Sequence, residues 1–257
     1  MGRTFAVSDL HGMIDLYQQI KNFLKPEDKV YYLGDMGDRG TNCWETVKAI
    51  MDDPQFECLM GNHEDMLLKV MKIYLQTPEE ERKQVQYCRD AAILSYNGGM
   101  PTFEGWTKEN AINRSKWYKR IKDLPLFLEY YSKSGKHIYM SHAGFTPYSY
   151  EDIPDRETLL WDRDHFMYGW PQYEAPDDVI ILHGHTPIPY LVDDIHRFSK
   201  GAYKLPELPC AYWYSDGHKC CIDNGAFYYL CTVLLDLDTF EEHKFYDKDY
   251  DPDAWVE

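Results

Sequence analysis

The chain has 257 residues, 44% of them apolar, which is enough for one large domain around a substantial core. Its 43 acidic residues outnumber 27 basic ones, giving a formal charge of -16, and so acidic a surface argues against duplex nucleic acid or an anionic membrane as a partner. No apolar run reaches the roughly 18 residues of a membrane span, the first residues lead directly into an apolar strand rather than a leader, and seven scattered cysteines without a CxxC pair read as reduced thiols; a cytoplasmic location is expected.

Phe5, Ala6 and Val7 predict a short buried strand ending at Ser8-Asp9. Leu16, Ile20, Phe23 and Leu24 then recur at helical spacing. A second strand, Val30-Tyr31-Tyr32-Leu33, ends at Gly34-Asp35. Asn42 and Glu45 form a capping-box pattern ahead of Trp44, Val47, Ile50 and Met51, the apolar face of a second helix. A third strand over residues 56–60 runs into Gly61-Asn62-His63-Glu64. This strand–helix–strand alternation predicts an α/β fold with a largely parallel sheet. Residues 65–124 read as a mainly helical insert within a single domain spanning 1–257, with a solvated helix start at residues 79–83 and a strong turn at Asn97-Gly98-Gly99. Strands resume at residues 137–140 and 179–182, and a last β-rich stretch covers residues 221–237. Tyr130 and Tyr131 are read as packing residues ahead of a strand. The tyrosine-rich stretch from Tyr203 to Tyr214 is read as packing or loop, with a substrate groove as its alternative.

Five strands therefore end in polar clusters: Asp9-Leu10-His11-Gly12, Gly34 to Gly40, Gly61 to Glu64, Ser141-His142-Ala143-Gly144, and His183-Gly184-His185-Thr186. Taken singly, an Asp-x-His or a Gly-Asp is usually structural. Taken together they are not, because ligands in open α/β folds bind beyond the carboxyl ends of the strands, where these clusters should meet. Mixed carboxylate, imidazole and amide donors without thiolate suit Mn, Fe, Zn or Co. Two such ions a few Å apart can polarise a phosphoryl group and generate hydroxide near neutral pH.

The motifs GDxxDRG (Gly34 to Gly40) and GNHE (Gly61 to Glu64) are complete, and Ser8-Asp9-Leu10-His11-Gly12 departs from GDxHG only at Ser8. On these residues the sequence resembles calcineurin-like metallophosphoesterases of the phosphoprotein phosphatase type, and within them the bacterial and phage lambda serine/threonine phosphatase group. The likeness extends to Asn97-Gly98-Gly99, Trp161-Asp162-Arg163 and Ile222-Asp223-Asn224-Gly225-Ala226. It implies a four-layer αββα sandwich with a dinuclear metal site at the carboxyl ends of the strands. By the same resemblance Asp9, His11 and Asp35 would hold one ion. Asp35 would bridge to a second, held also by Asn62, His142 and His185. Mn is the first metal to expect, with Fe, Zn, Co or Ni as alternatives. A hydroxide between the ions would attack phosphorus directly, His63 would protonate the leaving alkoxide, and Asp38 would orient His63. Arg39 and Arg163, with Asn62, would bind the phosphate.

His183 and His185 would face the same side of an extended strand, so spacing cannot separate them; the family pattern Gly-His-Thr selects His185. His137, His165, His196, His218 and His243 lie outside the motifs and are read as ordinary surface or core histidines. The resemblance implies a serine/threonine phosphoprotein phosphatase, with action on phosphotyrosine as an extension, and a phosphorylated protein or small phosphoester as substrate. The alternative is a symmetrical dinucleoside tetraphosphate hydrolase, which shares the signature. A catalytically silent module is disfavoured because His63, Asp38 and Arg39 are all retained.

Overall fold

The computed structural model describes residues 2–144, 154–164, 176–198, 206–214 and 217–251. The first half alternates strand and helix: β1 (Thr4–Val7), α1 (Ile14–Phe23), β2 (Lys29–Tyr32), α2 (Cys43–Asp52) and β3 (Phe56–Cys58). A helical stretch follows, α3 (Asn62–Gln76), a 3-10 helix (Glu79–Tyr87), α4 (Arg89–Tyr96), α5 (Met100–Thr107) and α6 (Ala111–Lys122). Then come β4 (Phe127–Tyr131), β5 (His137–Ser141), α7 (Arg156–Trp161), β6 (Val179–His183) and α8 (Ile188–Phe198). The chain closes with β7 (Tyr212–Trp213), β8 (Lys219–Cys221), α9 (Ala226–Tyr229), β9 (Cys231–Asp236) and β10 (Glu242–Tyr246).

The strands form two mixed five-stranded sheets, ordered β10-β9-β1-β2-β3 and β4-β5-β6-β8-β7. This corrects the expectation of one largely parallel sheet. Only β1-β2-β3 and β5-β6-β8 run parallel, while β9, β10, β4 and β7 pair antiparallel. Period-two alternation explains the layering. Ala6, Leu33, Ile180, Leu182, Cys220, Val233 and Leu235 point between the sheets and form one apolar core. Their neighbours Phe5, Val7, Val30, Tyr32 and Leu234 point outward onto Leu16, Ile20, Trp44 and Val47 of α1 and α2. On the far side Ile181 packs on Leu159 of α7, and Cys221 on Ile188 and Leu191 of α8. The result is the expected helix–sheet–sheet–helix sandwich.

Several local expectations need correction. Asn42 does precede α2, but its side chain makes no cap bond and instead donates to Thr41. β3 stops at Cys58, two residues early, since Met60 N–H already bonds Pro125 O. Tyr130 and Tyr131 lie within β4, an edge strand that the sequence reading left out, and Tyr131 is exposed against His137. Tyr212 and Trp213 form β7 and Tyr214 is buried, so this part of the tyrosine-rich stretch packs; Tyr203 lies outside the described residues.

Candidate metal centre

All five polar clusters come together where the carboxyl ends of β1, β2, β3, β5 and β6 meet across the two sheets. Asp9, His11, Asp35, Asp38, Asn62, His63, His142 and His185 are buried there, and Arg39 is half-buried beside them. Asp9, His11, Asp35, Asp38, Arg39 and His185 all have φ between +45° and +68°. Residues with a Cβ rarely adopt that region, and its concentration at one place marks loops whose shape serves a site.

Asp35 occupies the centre. Its Oδ2 lies 3.5 Å from His11 Nε2 and its Oδ1 lies 3.5 Å from His142 Nε2, so one carboxylate faces two donor groups. The ligand atoms of His11, Asp35 and His63 fall within 4.8 Å of one another, and so do those of Asp9, Asp35 and His142. Asp35 is common to both sets. The second set brings Asp9 and His142 together about Asp35.

The imidazoles are oriented from behind. His11 Nδ1 lies 3.0 Å from Gly37 O and His142 Nδ1 lies 2.8 Å from Leu33 O. Each Nδ1 therefore carries the proton, and each Nε2 lone pair faces inward. Asn62 Oδ1 sits 2.8 Å from His142 Nε2 and 3.2 Å from His185 Nδ1. Burial holds the pKa of His11, His142 and His185 below the ordinary value, which keeps these rings in the neutral form a metal requires.

Four observations test whether these residues suit a cation. Asp9 Oδ2 accepts from Ser8 Oγ and from His185 N–H, yet its Oδ1 is buried with no partner, and His185 Nε2 is likewise buried and unpartnered. Burial and the neighbouring Asp223 and Asp35 carboxylates push the Asp9 pKa well up, and burial pushes Asp223 up to about 7. Such crowding of buried acids calls for positive charge among them. The Arg39 guanidinium already stands in as a cation, with Nη1 2.8 Å from His11 Nε2 and Nη2 2.9 Å from His63 Nε2. Finally, the donors are all nitrogen and oxygen. The pocket fits one or more divalent ions.

His63 is tied differently. Its Nδ1 lies 2.6 Å from Asp38 Oδ2, buried at both ends. Burial works against its imidazolium, but Asp35 and Asp38 outweigh burial and its pKa rises above the ordinary value. Arg163 is exposed beyond α7, and its charge reaches His185 and Asp223. His183 is separated from the centre after all: its Nε2 bonds the Tyr214 hydroxyl at 2.9 Å. Of the other histidines, His137 lies 3.5 Å from Glu129, His218 Nδ1 lies 3.0 Å from Val179 O and His243 lies against Phe23, whereas His165 lies outside the described residues.

Four supporting residues escaped the sequence reading as functional. Glu64 accepts N–H groups of Gly61, Asp35 and Met36 at 2.8–2.9 Å, stapling two of the loops together. Ser8, the one departure from the motif, holds Asp9. Thr102 of α5 bonds Asp38. Asp223 follows β8 in a sixth strand-end polar cluster, and the polar run after the apolar Ile222 was the signal that could have revealed it.

A calcineurin-like phosphoesterase family model matches residues 2–222. The chain belongs to this family. It is thus a metallophosphoesterase, a metal-dependent hydrolase of phosphoesters. Among solved structures, a provisionally assigned diadenosine tetraphosphatase is 14% identical, with 96% of this chain and 95% of that one aligned and a TM-score of 0.59. A metallophosphoesterase from Sphaerobacter thermophilus is 13% identical over 96% and 88% of the chains, with a TM-score of 0.54. A cold-active protein tyrosine phosphatase is 15% identical over 96% and 76%, with a TM-score of 0.50. At these identities the likeness concerns the fold. No curated protein sequence matches the chain.

Proposed function

We propose that this metallophosphoesterase is a serine/threonine phosphoprotein phosphatase that acts also on phosphotyrosine. The observation that carries the proposal is the His63–Asp38 pair at 2.6 Å, set beside the buried donors Asp9, His11, Asp35, Asn62, His142 and His185. Two divalent ions held by those donors, Mn first among them, would supply Lewis acidity and hydroxide near neutral pH. Arg39 and Arg163 are the cations placed to bind phosphate oxygens, and a planar fork suits them to it. His63, with Nδ1 fixed by Asp38, presents Nε2 as proton donor. As the bond from phosphorus to the leaving oxygen breaks, the proton moves from Nε2 to that oxygen, which an alkoxide needs to depart. All seven cysteines are free thiols, which supports a reducing, cytoplasmic setting. The acidic surface disfavours polynucleotide substrates.

One observation favours a dinucleoside tetraphosphate instead. Tyr228 is exposed 5.9 Å from Arg39 Cζ, with exposed Tyr190 beside it at 6.5 Å, a surface on which a base could stack. Turnover with Mn of a phosphoserine peptide, a phosphotyrosine peptide and diadenosine tetraphosphate, with H63N as control, separates the two. Peptide turnover that H63N loses supports the phosphatase reading. A preference for diadenosine tetraphosphate by about 100-fold or more in kcat/KM overturns it in favour of the second.

A further inference from the structure

Thr102 lies in α5, inside the helical stretch and 64 positions from its partner in sequence. It is buried, and its hydroxyl is used twice. Oγ1 accepts the Asp38 N–H at 2.8 Å and donates to Asp38 Oδ1. Asp38 is left with Oδ2 for His63 Nδ1. The same helix is anchored at its start by the Gly98-Gly99 turn, where Gly98 O accepts the Arg39 N–H at 3.0 Å. One element therefore holds both the carboxylate behind the proton donor and the backbone of a phosphate-binding arginine. Asp38 has φ +68°, a backbone region that residues with a Cβ rarely adopt.

From this geometry we infer that Thr102 is a positioning residue for proton donation to the leaving group, acting through Asp38 on His63. The inference rests on the role proposed above for His63. With one carboxylate oxygen committed to a hydroxyl, the other is presented to Nδ1 in a single orientation, and the ring delivers its Nε2 proton along a fixed line. Without the hydroxyl, the Asp38 carboxylate can rotate and the imidazole with it. A purely structural clamp would also use the Asp38 N–H contact. The two roles differ in what they do to substrates whose leaving groups need a proton and to those that do not.

The experiment compares wild type, T102V, T102S and H63N, all loaded with Mn, on a phosphoserine peptide and on p-nitrophenyl phosphate, whose leaving phenolate departs without help. For T102V we expect kcat on the peptide to fall about 10-fold or more, with the 10²–10⁴ that a general acid contributes as the ceiling. On p-nitrophenyl phosphate the fall should stay under about 3-fold, with KM and metal content held. T102S should restore the peptide rate. A loss equal on both substrates overturns the inference, because misfolding or metal loss scales every substrate alike; so does a failure of T102S to rescue. H63N guards the premise. If it loses no more on the peptide than on the aryl ester, the proton-donor reading itself fails. If it discriminates and T102V does not, only the Thr102 assignment falls. Should T102V not fold, the His63 Nδ1 proton resonance in T102S and T102A replaces it. A downfield signal kept in T102S and lost in T102A supports the coupling, and one unchanged in both overturns it.

Discussion

Gly184 sits where a Cβ would run into Ser8 Oγ and Asp9 Oδ2, the pair that sets the Asp9 carboxylate. Gly184→Ala should therefore leave the fold intact and displace Asp9. We expect metal affinity to fall about 10–100-fold, the usual cost of disturbing what orients a ligand, with an unchanged far-ultraviolet dichroism spectrum; titration of bound metal checks it. Glu64 presents the opposite case, a residue that touches no candidate ligand atom directly and holds three backbone N–H groups. Replacing it by Gln turns one acceptor oxygen into a donor facing a buried N–H. That should cost about 2–3 kcal/mol, measurable as a lowered urea midpoint with an unchanged slope. Two residues of one GNHE motif thus divide the work: His63 is the proposed proton donor, and Glu64 keeps the loops in place.

Among the elements, the start of β1 and the turn into β2 are joined through Asp28. It is buried, accepts from Arg3 N–H and from its guanidinium, and accepts the Lys25 N–H. Burial alone would raise its pKa, but Arg3 and these N–H groups prevail and hold it at about 2. A depressed carboxylate stabilises the fold above its unfolded value of about 3.9, and that contribution drains away as pH falls toward 2. Urea midpoints between pH 5 and 2 should fall more steeply for wild type than for D28N, which starts less stable. Between the sheets Leu182 is buried in the shared core, so L182A should cost about 2–5 kcal/mol by the same measurement. At this scale the sequence was only partly legible. The strands that end in ligands could be read because each is an apolar run halted by glycine and a polar group. Which strands pair could not, because β9 joins β1 from over two hundred positions away, and no local pattern records such a partner. β4 was missed since it is a half-exposed edge strand without the apolar run of its neighbours. The Asn42 cap failed because the side chain found Thr41 first. Asp223 was visible as a motif yet not weighed as part of a sixth strand-end cluster, for want of any sign that β8 abuts β6.

For the whole molecule, the centre draws Asp9, His11, Asp35 and Asn62 from one sheet and His142 and His185 from the other. Divalent ions bound there hold the folded state by mass action, about 2.7 kcal/mol at one hundred times the dissociation constant. Melting curves should shift upward with Mn, shift back with chelator, and lose the shift in D35N. The same division has a meaning for the order in which the chain is made. By the end of β4 at Tyr131, only the first sheet's donors exist. The imidazoles of the second sheet come later, and β9, which flanks β1, later still. A growing chain at that point carries four of the six candidate donors. A centre that needs donors from both groups would therefore be complete only once the two sheets have closed on each other.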